Sequence, residues 1–293
     1  MYTDLAPSPF AQLGTLPFVL DANAIPAEDR LHLESIRQWV FTHTGLHFGD
    51  RKQYILYRRL QTLCWRLGIP TMEEMNRQLH GGNSSQLALE VACAISTNHT
   101  FFFREPMVLD YLRDVIVPQL PQDEMWRIWS AASSSGEEAY TVGMLLAEMF
   151  GLGQVQQKAA ILGTDLSHPM VDQAEHGVYD QSRMEQVPAE FLKRYFEPVG
   201  LGQWRVSAGL RGMCTFRRMN LQTGDWPFKN PFHVILCRNV LYYFDSEHQE
   251  RLVERLYDMA MPGGWLLTSV TETLHGLKTR WKKIDAGVFR KVG

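Results

Sequence analysis

The chain has 293 residues, enough for one large domain or two unequal ones. A hydrophobic fraction of 45% with 21% charged residues suits a packed globular protein and excludes a disordered one. The formal net charge of -3 leaves no global basic field to attract nucleic acid, so any partner must be held by local patches.

Residues 1–26 carry Pro and Gly without a clear period and read as an N-terminal leader. Asp4, Pro7, Pro9 and Pro17 break the pattern of a signal peptide. No apolar run reaches the roughly 18 residues that span a bilayer, so no membrane insertion is expected and the cytoplasm is the expected location. Pro26 opens a helix whose stripe is Leu33, Ile36 and Val40, and Gly45 ends it. A second helix spans about Asp50 to Leu67, with Leu56, Tyr57, Leu60, Leu63 and Cys64 inward, and Gly68 with Pro70 stops it. Arg51, Lys52, Arg58, Arg59 and Arg66 make that helix basic: a solvated face, or a docking face for an acidic helix. Thr71 and Glu74 form a capping-box pattern before a third helix. A loop, Gly81 to Ser85, leads to a fourth, so residues 27–96 read as a helical bundle.

The pattern then changes to short apolar runs alternating with helices. Strands are predicted at Trp126–Ala132, Lys158–Leu166, Cys214–Leu221, Phe232–Cys237 and Trp265–Val270, then Trp281–Asp285 and Gly287–Val292. Pro262-Gly263-Gly264 reads as the turn before the fifth. Such alternation implies a parallel, doubly wound α/β sheet with ligands at the carboxyl ends of its strands. The connection at about 178 to 213 is too long for a plain crossover, and Gly200-Leu201-Gly202 suggests a hairpin within it.

Chemistry-bearing residues fall at those strand ends. Ser130-Ala-Ala-Ser-Ser-Ser-Gly136-Glu137-Glu138 lacks both G-x-G-x-x-G and the Lys of a phosphate loop, and its acids would repel a pyrophosphate. It suits a cationic ligand with ribose hydroxyls, or Ser135 and Glu138 are a capping box. Asp165 can accept hydrogen bonds from a ribose or adenine, or cap a turn. Arg104, behind three phenylalanines, needs an anionic partner, either a ligand or a structural acid such as Glu105. Cys237-Arg-Asn-Val-Leu-Tyr-Tyr-Phe-Asp245 puts polar groups directly after a buried strand. The cysteines Cys64, Cys93, Cys214 and Cys237 have no C-x-x-C spacing, and the histidines show no H-x-x-x-H with an acid between them, so no metal site is expected.

The ordered set TNHTFFFRE (97–105), WSAASSSGEEAY (129–140), TDL (164–166), GVY (177–179), RYF (194–196), MNL (219–221), CRNVLYYFD (237–245) and PGG with SVTETL (262–274) resembles the CheR family of chemoreceptor glutamate methyltransferases. The resemblance runs from about residue 30 to 292. It implies a Rossmann-like, doubly wound methyltransferase sheet that uses S-adenosylmethionine and releases S-adenosylhomocysteine. Residues 27–96 would be a helical receptor-docking domain, and residues 97–293 the cofactor-binding domain, with a small β-subdomain inserted at about 197–213. It also implies cofactor contacts at Asn98, Thr100, Arg104, Glu138, Asp165, Asn220, Leu221, Arg238 and Asn239, and places Arg104 and Tyr243 nearest to methyl transfer. Arg59 keeps a place in the family's receptor-docking helix. The implied partner is the cytoplasmic helical region of a methyl-accepting chemoreceptor. The short Val199–Gln203 loop predicts no binding of a receptor's C-terminal pentapeptide tether. The extended N-terminus suggests a branch serving type IV pili or another non-flagellar array, such as the PilK branch. This chain departs from the family pattern at Met107-Val108, at Thr62, Leu63 and Trp65, and at Val270-Thr271. The alternatives are a non-catalytic regulator or scaffold that binds the same cofactor and, less compatible with the residues, a nicotinamide-dependent oxidoreductase.

Overall fold

The computed structural model describes residues 25–81, 85–96 and 98–292, so the leader at 1–24, the tip of the loop at 82–84, Thr97 and Gly293 lie outside the described residues. The chain begins with four helices: α1 (Ala27–Thr44), α2 (Gln53–Leu67), α3 (Met72–His80) and α4 (Ser85–Ile95). Pro26 caps α1, and Gly45 and Gly68 close α1 and α2 in the left-handed conformation. The Thr71 hydroxyl accepts the Glu74 N–H at 3.1 Å, which starts α3. Leu33, Ile36, Val40, Leu56, Leu60 and Met75 join one apolar core among these helices.

Helix α5 (Pro106–Tyr111) continues through a π-helical turn (Leu112–Ile116). Then come β1 (Trp126–Ser130), α6 (Glu137–Phe150), α7 (Leu152–Lys158), β2 (Ala159–Asp165) and α8 (His168–His176). A small antiparallel sheet, ordered β3-β5-β4, is built from β3 (Val178–Asp180), β4 (Phe196–Gly200) and β5 (Gln203–Val206), with α9 (Ala189–Tyr195) between β3 and β4. The main sheet resumes after α10 (Ala208–Met213) with β6 (Cys214–Arg218), β7 (Phe232–Leu236), α11 (Ser246–Met259), β8 (Ala260–Leu267), β9 (Trp281–Asp285) and β10 (Val288–Lys291).

The seven-stranded sheet has the order β6-β2-β1-β7-β8-β10-β9. Strands β6, β2, β1, β7 and β8 are parallel, and β10 pairs antiparallel with both β8 and β9. Side chains alternate between two cores, as a two-residue period requires. Ile128, Val234, Leu236, Leu267 and Val288 enter one core; Trp129, Ile235, Leu266 and Phe289 enter the other.

Two expectations from the sequence change here. Pro262-Gly263-Gly264 is not a turn before the fifth strand but lies inside β8, which starts at Ala260 and ends at Leu267. The register between β7 and β8 shifts at Phe232/Val234, and Gly263 takes a φ of 73°, so these residues form an irregular stretch that stays in the sheet. The last two strands also break the parallel rule. Only Ala286 and Gly287 separate them, and so short a link joins antiparallel strands alone.

Chain order runs outward from β1 to β2 and β6, then returns to β7 and β8 on the other side. The reversal between β1 and β7 opens a crevice at their carboxyl ends.

Candidate active site

A cavity of about 1370 Å³, counting its open mouth, occupies that crevice. The loop after β1 contributes Ala131, Ala132 and Ser134; the end of β2 contributes Asp165 and Leu166. Met219, Asn220 and Leu221 follow β6, and Arg238, Asn239 and Tyr243 follow β7. The helical bundle closes the other side with Thr44, His47, Phe48, Lys52, Ile55 and Arg59. All eleven residues singled out in the sequence, from Arg59 through Tyr243, line this one space.

Glycine and small residues build the floor. Gly136 precedes α6 at a φ of 94°, and a Cβ there would come within 2.8 Å of Ala174, so the turn has no room for a side chain. The Ser135–Glu138 capping box does not form. Glu138 instead accepts Ser130 Oγ at 2.6 Å and Arg238 Nη1 at 3.0 Å. Arg238 is buried, pairs with Glu138 and lies 3.5 Å from Glu105. Its Nη2 also donates to the Arg104 carbonyl. Thus one buried guanidinium is neutralised by two carboxylates, as burial demands.

Asp165 combines both roles weighed for it. Its carboxylate accepts the backbone N–H of Ser134 at 2.8 Å and of Ser167 at 2.9 Å, and it still faces the cavity. Burial pushes its carboxyl up, against the pull of those N–H groups. Asn220 donates to the His43 carbonyl at 3.0 Å and accepts the Gln222 N–H, so its amide ties the sheet to the helical bundle.

At the mouth, Arg104 donates to the His99 carbonyl at 2.6 Å and lies 5.6 Å from the Phe101 ring centre. Its ion pair with Glu105 is long, 4.0 Å, so that acid is not its dedicated partner. Phe103 and Glu105 on either side have φ of 58° and 54°. Ser134 and Asn239, at 47° and 58°, are left-handed too, which concentrates uncommon backbone at the cavity. Tyr243 stacks near Tyr242, ring centres 4.4 Å apart, and its carbonyl accepts the His47 N–H at 2.8 Å. Arg59 donates to the Ile95 carbonyl; burial lowers its pKa from the usual arginine value, and the Tyr243 hydroxyl acts against that.

Sequence reasoning named Glu105 only as a partner for Arg104 and gave Glu272 no role. Burial alone would push the Glu105 carboxyl up, but Asn239 and Ser269, each at 2.9 Å, with the Arg238 charge, hold it below its ordinary value. Buried Glu272 accepts the backbone N–H groups of Asn239 at 2.6 Å and Leu241 at 2.8 Å. Burial pushes its carboxyl up, and the N–H groups oppose that. Both acids sit within runs of the sequence that carry the family resemblance, FFFRE and SVTETL, but nothing in either run shows the segments they tie together.

The residues present fit S-adenosylmethionine. Asp165 and Glu138 offer acceptors for ribose hydroxyls and a cationic donor, and Leu166, Met219 and Leu221 give an apolar surface for a base. Arg238 lines the same space, and its buried Nε has no hydrogen-bond partner among the described residues. No cluster of ligands for a metal ion occurs among the described residues.

Sheet order, crevice and donor set together define an S-adenosylmethionine-dependent methyltransferase. Two family models match: "CheR methyltransferase, SAM binding domain" over residues 98–289 and "CheR methyltransferase, all-alpha domain" over residues 31–90. The chain belongs to the CheR methyltransferase family. It is 31% identical to a chemotaxis protein methyltransferase, Cher2, of Pseudomonas putida, with 87% of this chain and 94% of that protein covered. It is 33% identical to chemotaxis protein methyltransferase 2 of Pseudomonas aeruginosa, covering 83% and 86%. A chemotaxis protein methyltransferase of Borreliella burgdorferi is 31% identical, covering 82% and 87%.

Proposed function

We propose that this methyltransferase esterifies glutamate side chains on the cytoplasmic helical region of a methyl-accepting chemoreceptor, working in the cytoplasm. The observation that carries this reading is the charge of the mouth. Arg238 is neutralised within the floor, whereas Lys52 and Arg104 line the same cavity and the Arg104 ion pair is stretched to 4.0 Å. A cavity with acids at its floor and cations at its mouth suits a cationic donor below and an anionic acceptor above. Among the described residues no helix is long and apolar enough to cross a membrane.

When bound, S-adenosylmethionine supplies an electrophilic methyl group. A glutamate carboxylate is ionised at neutral pH, with a reference pKa of about 4.3, so no residue need remove a proton. What this chain adds is orientation and exclusion of water. Arg104 and Tyr243 hold the acceptor carboxylate, Asp165 and Glu138 hold the donor, and Asn98, Thr100, Asn220, Leu221 and Asn239 shape the wall between them. Arg59 and Lys52 guide the receptor helix to the opening.

The turn between β4 and β5 is only Leu201-Gly202, and it offers little surface to a peptide strand. We propose that no receptor tether binds there, and titration with a C-terminal pentapeptide should give no micromolar binding. The decisive assay uses labelled S-adenosylmethionine and receptor-bearing membranes. Base-labile label on the receptor is expected. Cofactor binding without transfer to any receptor would favour a regulator instead.

A further inference from the structure

We infer that Glu272 and Glu105 are positioning residues that fix Tyr243 and Arg104 relative to one another. This rests on the reading that those two residues orient the acceptor carboxylate.

The two acids form one brace. Glu272 Oε2 accepts the N–H of Asn239 at 2.6 Å and of Ser269 at 3.1 Å, and Oε1 accepts the N–H of Leu241 at 2.8 Å. Glu105 accepts the Asn239 side-chain amide and the Ser269 hydroxyl, each at 2.9 Å, and the Val270 N–H at 3.3 Å. Asn239 and Ser269 are therefore each held by both carboxylates. Three segments meet there: the turn carrying Arg104, the turn carrying Tyr243, and the loop after β8.

Geometry explains why carboxylates are required. The 239–243 segment starts with a left-handed residue and winds into a short 3-10 turn at Leu241–Tyr243. Its early N–H groups have no strand to pair with, and an anion that accepts several at once fixes their direction. Glutamine at 272 would turn one acceptor into a donor facing an N–H, freeing either Leu241 or the Asn239–Ser269 pair. The Arg104 turn is left-handed on both sides of the arginine, and the Glu105 side chain, with the Arg238 contact to the Arg104 carbonyl, ties it to the segments after β7 and β8.

The test is a mutant cycle, read by steady-state methyl transfer to receptor membranes, with thermal unfolding as the check on folding. Glu272→Gln should lower kcat about tenfold while KM for the receptor stays within about twofold. In a Tyr243→Phe background the same change should cost less than about twofold more, because its effect passes through Tyr243. A normal kcat for Glu272→Gln, or a full second loss in the double variant, would overturn the inference. Should Glu272→Gln not fold, Glu105→Gln measured with and without Arg104→Ala decides by the same criterion. If the wild-type enzyme labels no receptor, the reading of the site fails and the brace with it. If wild type labels normally and the variants do too, the brace alone fails.

Discussion

The floor and the mouth of the cavity are built on opposite principles. At the floor each charge is answered: Arg238 by Glu138 and Glu105, Asp165 by the backbone of Ser134 and Ser167. At the mouth Arg104 has a long ion pair, 4.0 Å to Glu105, and Lys52 stands exposed on the helical bundle. A floor whose charges are already paired holds its shape before any ligand arrives. A mouth with loosely paired cations is open to an anionic ligand. On that difference rests our proposal that the floor takes the cofactor and the mouth the acceptor.

Breaking the floor should have the largest effect. Glu138→Ala leaves Arg238 buried with the 3.5 Å Glu105 contact as its one ion pair beside the Arg104 carbonyl, and loss of one partner of a buried pair costs about 3 kcal/mol or more. Urea unfolding should show that loss whether or not receptor is present; an unchanged midpoint would mean that the floor does not depend on the pair. Next comes Arg104→Ala at the mouth. It should slow methyl transfer at least roughly tenfold, about 1.4 kcal/mol, with little change in unfolding. Unchanged turnover would remove Arg104 from the reaction. The smallest effect belongs to the rim. Lys52→Gln should raise KM for the receptor about two- to threefold at low salt and flatten its salt dependence. An identical salt profile would show that the Lys52 charge steers nothing.

The two regions also differ in how far the sequence exposes them. The sheet side of the cavity follows strand ends in chain order, so the small residues after Ser130, Asp165 and the polar run after Cys237 mark it without a structure. Helix caps such as Pro26, Thr71 and Gly68 are equally local. What the sequence hides is tertiary. Glu272 serves a residue 33 positions away, and Glu105 reaches one 164 positions away. Thr44, His47 and Phe48 line the cavity only because the helical bundle folds back on the sheet, through contacts such as His47 to Tyr243. Irregular β8 is hidden for another reason: Pro-Gly-Gly has the composition of a turn, and only pairing with β7 and β10 keeps it in the sheet.

A crystal structure of the chain with S-adenosylhomocysteine tests this division most directly. The ribose should lie against Asp165, with the sulfur facing the opening between Arg104 and Tyr243. A product molecule bound with its sulfur turned away from those two residues, or bound outside the crevice, would contradict it.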